Sequence, residues 1–208
     1  MTRSRASANP TGAYRAEVPG LRTTRVLLLL PLIALLYFAG WNSVGRAQTS
    51  AVPNYDHIFF VIDENHSRSQ VIGPAPYLTG LANAGAQRTQ QVAVSHPSLP
   101  NYLALADGTT HGITDDGTGY VFNTNNIAHE ISGSGRSWKG YMEGLPSPCS
   151  NVSGSGGYAK KHNPFMYESN ITTVPSECNR VVPFTQLAAD LSSTATTPNF
   201  AWITPTLN

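Results

Sequence analysis

At 208 residues and 40% hydrophobic content, the chain is long enough for one core-forming domain plus accessory segments. A formal net charge of +1 and a pI near 7.8 supply no basic footprint, so nucleic acid is not an expected partner. Only 12% of residues are charged while Gly, Pro, Ser, Thr and Asn abound, which predicts neutral polar loops of the kind common in exported proteins.

Residues 1–25 form a basic flank, with Arg3, Arg5, Arg15, Arg22 and Arg25 against one acid, Glu17. Residues 26–41 carry no charge and read as a targeting segment, which by the positive-inside rule places the remainder beyond the cytoplasmic membrane. Two readings of it stay open, a signal peptide and a membrane anchor. Gly45-Arg46-Ala47 puts small residues where a signal peptidase reads, and a sixteen-residue helix would reach about 24 Å against a ~30 Å hydrocarbon core. The expected location is therefore secreted or cell-envelope, with membrane attachment through residues 26–41 as the variant. Residues 42–54, ending near Pro53, have linker composition.

Tyr55 to Ile62 is an almost unbroken apolar run and predicts a central parallel strand. It ends in Asp63-Glu64-Asn65-His66, which is either a solvated helix cap or a set of oxygen and nitrogen ligands on a strand tip. Pro76 to Gly85 predicts a short helix and Gln90 to Val94 a second strand. In His96-Pro97-Ser98-Leu99-Pro100-Asn101 a serine sits between two prolines at a strand-to-helix junction. It reads either as an N-cap or as a hydroxyl held beside helix amides that can hold a phosphate oxygen. A helix from Tyr102 to Ala106 should stop at Asp107-Gly108. Further elements are a helix at Ile127 to Ser132, a strand at Ser137 to Met142, a helix at Phe184 to Leu191 and a strand at Asn199 to Thr204. Residues 144–180 show no periodicity. The alternation predicts an α/β fold with a parallel sheet covered on both faces. Cys149 and Cys178, alone in an exported chain, are expected to pair as a disulfide; no Cys-x-x-Cys and no Gly-x-Ser-x-Gly elbow occurs.

Five ordered blocks carry a resemblance. They are Glu64-Asn65-His66, His96 to Tyr102, Gly112-Ile113-Thr114-Asp115-Asp116, Lys139 to Gly144, and Lys161-His162-Asn163-Pro164-Phe165. Together they resemble the bacterial phosphoesterase family of acid phosphatases and phospholipases C, in the alkaline-phosphatase-like superfamily. That resemblance implies a parallel-sheet three-layer sandwich over residues 55–208, incomplete at the C-terminus. It also implies a divalent metal ion, of unspecified identity, on Glu64, Asn65 and Ser98, with Ser98 as nucleophile and a phosphoseryl intermediate. Asp63 departs from the pattern, where an apolar residue is usual. Within this frame Asn101 is a candidate donor to a phosphoryl oxygen, and His162 a candidate contact or aid to the leaving group. His96 has either a catalytic part or a loop-orienting one, and Lys161 either meets phosphate or is solvated. His66 is a candidate second layer, Asp115 and Asp116 read as a turn, and His57, His111 and His129 as structural or surface residues.

The superfamily completes its metal site with a late Asp-x-His-Asp block, and none occurs up to Asn208. The expectation is a fragment with little activity of its own from an exported hydrolase of small phosphate esters or phospholipid headgroups. The alternative is a non-catalytic cell-surface binding protein that keeps the fold.

Overall fold

The structure, a computed structural model, describes residues 53–206, so the basic flank, the apolar segment 26–41 and nearly all of the linker lie outside the described residues. In chain order, β1 (Ile58–Val61) leads to the single turn α1 (Arg68–Val71) and the helix α2 (Pro76–Ala84). Then come α3 (Ser98–Asp107), α4 (Ile127–Gly133) and β2 (Trp138–Met142). The short strands β3 (Gly154–Ser155) and β4 (Tyr158–Ala159) pair antiparallel and run into 3-10 turns at Lys160–His162 and Pro164–Tyr167. Finally α5 (Ser169–Thr172), α6 (Pro175–Cys178), β5 (Val181–Pro183), α7 (Leu187–Asp190) and β6 (Phe200–Thr204) complete the described chain.

The main sheet has the order β1–β6–β2–β5 and every pair in it is parallel. Its two faces bury different side chains, as alternation along a strand requires. Trp138, Met142, Phe200 and Trp202 pack with Tyr102 and Ala106 of α3 and Ala128 of α4. Tyr141, Ala201 and Ile203 face the other way, with Val182 of β5 and against Leu187 of α7. Helices thus cover both faces, which is the α/β layering that the sequence implies.

Four local expectations change. The first strand lies at the sheet edge, not its centre: β6 separates it from β2, and Ile58, Phe59 and Val61 are 46%, 46% and 55% exposed. An apolar run reports burial on both faces only if neighbours are present on both sides. Gln90 to Val94 is not a strand; Val92 and Val94 are exposed and the segment runs as an irregular loop. α3 begins at Ser98, four residues early, because Pro100 falls in the first turn, where a missing N–H removes no intrahelical bond. It ends as expected at Gly108, in the left-handed region at φ 76°. Residues 144–180 hold a hairpin, turns and two short helices, all too brief to show a period, and the three-residue β5 is likewise too short to leave a sequence signal.

Cys149 and Cys178 form the expected disulfide, with Cα atoms 4.9 Å apart. It joins the segment after β2 to the end of α6. Closing a stretch of 29 residues stabilises the fold by about 3–4 kcal/mol in the chain-entropy picture. No described helix is long and apolar enough to cross a membrane.

Candidate active site

Parallel strands of an α/β sheet deliver functional groups beyond their carboxyl ends. Glu64 follows β1 by three residues, and Ser98 is the first helical residue of α3, reached through a cis His96–Pro97 bond. These two segments meet. Ser98 Oγ donates to Glu64 Oε1 at 3.4 Å, across 34 residues of sequence. His162 Nε2 lies 2.5 Å from the same Glu64 oxygen, a close polar contact whose angle does not make it a hydrogen bond. His162 is buried and its ring stacks on Tyr102, centroids 5.0 Å apart, so it has little freedom to move.

The electrostatics follow from this packing. The His162 imidazole holds the Glu64 carboxyl below the usual carboxylate range; burial works against it, and Ser98 and Lys161 add smaller help. Burial, with the Glu64 and Asp63 charges, pushes the Tyr102 hydroxyl far above the usual phenol range. Tyr102 therefore stays neutral and acts as a wall and stacking partner.

Asp116 does more than turn the chain. Its Oδ1 accepts the Leu99 amide at 3.0 Å, capping α3 from another loop, while its Oδ2 accepts from Lys161 Nζ at 2.7 Å. Lys161 is thereby held beside the Ser98 turn. Burial raises the Asp116 carboxyl, but Lys161 and the Leu99 amide outweigh it and the group ends below its usual range. Asp115 behaves as the sequence suggests, accepting from Gly117 N and the Tyr120 hydroxyl in a local turn. With the Leu99 amide engaged and Pro100 lacking one, the start of α3 offers fewer free donors than its sequence promises.

Asn101 spends its carboxamide on the loop that carries Ser98. Its Nδ2 donates to the Ser95 and Pro97 carbonyls at 2.8 Å each, and its Oδ1 accepts from Val94 N and Ser95 N. Asn65 follows Glu64 through a cis peptide and is exposed, as are Asp63 and His66. His96 is exposed, and its ring makes no hydrogen bond among the described residues. His57 binds the Pro198 carbonyl, a structural contact. Two clefts flank the Glu64 segment. One of about 330 Å³ is lined by Val61, Glu64, His66, Val71 and Leu78, and one of about 440 Å³ by Ile62, Val92, Val94, Asn101 and Leu105.

The structure thus brings Glu64, Ser98, His162 and Lys161 together and adds Asp116 and Tyr102, which the sequence did not single out for the site. Neither had a signal of its own: an Asp-Asp-Gly turn hides Asp116, and Tyr102 has the pattern of a core aromatic.

Similarity to known proteins supplies the family. The model of the phosphoesterase family matches residues 74–208, well over half of the chain. This chain belongs to the phosphoesterase family. Glu64 and Asn65 lie ahead of the matched segment, and Ser98, Asp116, Lys161 and His162 within it. A phosphatidylinositol-3-phosphatase of Mycobacterium tuberculosis is 36% identical over 180 residues, 83% of this chain and 58% of that protein. An acid phosphatase of Aspergillus fumigatus is 30% identical over 61% of this chain and 30% of its own length. A phosphate-repressible acid phosphatase of Penicillium chrysogenum is 32% identical, over 62% and 33% respectively. The chain spans a little over half of the first relative and about a third of the two fungal ones. As in those phosphatases, the chemistry of the family is hydrolysis of phosphate esters.

Proposed function

We propose that this chain carries the nucleophile and its supporting charges of an exported, metal-dependent phosphomonoesterase. The observation that supports this most is Ser98 at the first turn of α3, bonded to Glu64, which His162 touches on the same oxygen. Ser98 Oγ would attack phosphorus as the bond to the leaving alcohol breaks, giving a phosphoserine that water later hydrolyses. The serine hydroxyl is hydrogen-bonded to Glu64, and His162, in contact with the same carboxylate oxygen, would take up its proton. Lys161, steadied by Asp116, would meet a phosphoryl oxygen. We assign Asn101 to holding the serine loop, and His96 to shaping it, in place of substrate contact.

Glu64, Asn65 and Ser98 are oxygen donors suited to a hard divalent cation, and the 3.4 Å between Ser98 Oγ and Glu64 Oε1 is a spacing that two ligands at about 2.1 Å can share. A cation there would stabilise the serine oxygen's negative charge and that of the phosphoryl group. Only one of the three donors is charged, however, so we expect weak cation affinity and low turnover from this chain. The phosphatase names of the relatives support phosphomonoester substrates, and the clefts beside Glu64 leave room for an apolar leaving group, a lipid among them. The disulfide fits an oxidising compartment.

The test is turnover of an aryl phosphate at saturating manganese or zinc by the wild type and by Ser98→Ala. The low turnover of the wild type should fall in Ser98→Ala to the level of the metal alone. A variant that keeps its rate removes Ser98 as nucleophile, and a phosphodiester preferred over the monoester removes the substrate class.

A further inference from the structure

Nine residues along α3 from Ser98, about 14 Å by helical rise, lies a second group of charged side chains. Asp107 ends the helix, His111 follows in the next loop, and Glu168 comes from beyond the Pro164–Tyr167 turn. One nitrogen or oxygen from each lies within 4.8 Å of the others. The Asp107 side chain is fully covered, Glu168 is 1% exposed and the His111 side chain 14%, against 27% for the Glu64 side chain.

Half of this cluster is satisfied. His111 Nε2 meets Asp107 Oδ2 at 2.5 Å, and Glu168 Oε2 accepts from Thr124 N at 2.8 Å. The other half is not. Asp107 Oδ1 and Glu168 Oε1 are buried with no partner to donate to them among the described residues, other than the facing carboxyl group against which each lies. Burial pushes both carboxyls up, and two such groups in contact either share a proton or are balanced by a positive charge. The Phe122 ring stacks on His111, centroids 4.1 Å apart, and fixes the plane of the imidazole.

We propose that Asp107, His111 and Glu168 hold a divalent transition-metal ion of the zinc class, at a site separate from that of Ser98. One imidazole nitrogen and two carboxylate oxygens are the donors that zinc, manganese or iron take, and a histidine disfavours calcium. With bonds of about 2.0–2.2 Å a tetrahedral ion holds its ligand atoms about 3.4 Å apart, so the three atoms, which lie within 4.8 Å of one another, would draw together on binding. The ion has a structural role: it ties the end of α3 and the Glu168 turn to the base of the 109–122 loop, the loop that presents Asp116 to Leu99 and Lys161. His111, a structural residue by its sequence, is on this view a ligand. The proposal does not rest on the activity proposed above.

The chain is loaded with zinc, dialysed, and its metal content measured by elemental analysis for the wild type, Glu64→Gln, His111→Gln and Glu168→Gln, with circular dichroism as the check on folding. Wild type and Glu64→Gln should each keep about one more ion per chain than the two cluster variants. A chelator should lower the Tm of the wild type and leave that of Glu168→Gln unmoved. A further measurement needs no variant: cobalt bound in place of zinc should give a visible absorption band with the wild type. Equal zinc in wild type and Glu168→Gln, or loss of all zinc in Glu64→Gln, overturns the proposal. So does a wild type that binds neither ion, which would mean that the two carboxyls share a proton instead.

Discussion

β1 and β6 are neighbours in one sheet and are similarly apolar, yet all five residues of β6 are buried while three of the four in β1 are exposed. β6 has a strand on each side and covered faces; β1 has β6 on one side, with Ile58, Phe59 and Val61 open, and Val92 and Val94 in the later loop are more open still. The candidate active site straddles this divide. His162, Lys161, Asp116 and α3 belong to the packed region, whereas Glu64, Asn65 and His66 hang from the sparsely covered strand. Pre-organisation therefore differs between the two halves of one site: the groups around the serine are held by packing, and the carboxylate side depends on a thin edge.

The largest difference should appear in paired truncations. Trp202→Ala on β6 is expected to cost about 3–5 kcal/mol by denaturant unfolding, and Phe59→Ala on β1 about 1. Similar costs would erase the contrast. Next, replacing Cys149 and Cys178 together by Ala should cost about 3 kcal/mol, all of it from the packed region, with hydrogen exchange at β1 unchanged. Asn101→Ala should cost about 1–2 kcal/mol and raise exchange at the Val94 and Ser95 amides that it holds, sharpening where the ordered region ends.

The smallest expected effect is in acid. Burial raises the Asp190 carboxyl, but Lys139 at 2.6 Å and bonds from Tyr141 and Gln186 outweigh it, leaving its pKa below the usual range. A folded-state pKa below the unfolded value of about 3.9 means the contribution is complete above that pH and vanishes as pH falls through the folded value. The wild type should thus lose stability below about pH 4 more steeply than Asp190→Asn in an acid titration followed by Tm. Identical acid limbs would show that the pair contributes nothing.

Much of the fold was legible in the sequence, and the reasons for the misreadings are physical. Alternating strand and helix signals and the ordered blocks around Glu64, Ser98 and Lys161 point to the layered fold and to the site. Strand position was not legible, because Phe59-Phe60-Val61 reads the same at an edge as at a centre until its neighbours are known. Val92-Ala93-Val94 has strand composition but finds no pairing partner, so Asn101 takes up the Val94 and Ser95 amides instead. Asp116 and the Asp107–His111–Glu168 group combine residues that are distant in sequence, and no spacing rule joins Asp107 to Glu168.

Ser98 as nucleophile is the central claim, and acid-quenched peptide mapping tests it most directly. The protein is incubated with an aryl phosphate and saturating divalent metal, stopped with acid and digested, and the phosphopeptide is located by mass spectrometry. Phosphate is expected on Ser98 alone, and none on the same peptide from Ser98→Ala. Substrate turnover with phosphate on another residue, or with Ser98 unmodified and Ser98→Ala equally active, would contradict the claim.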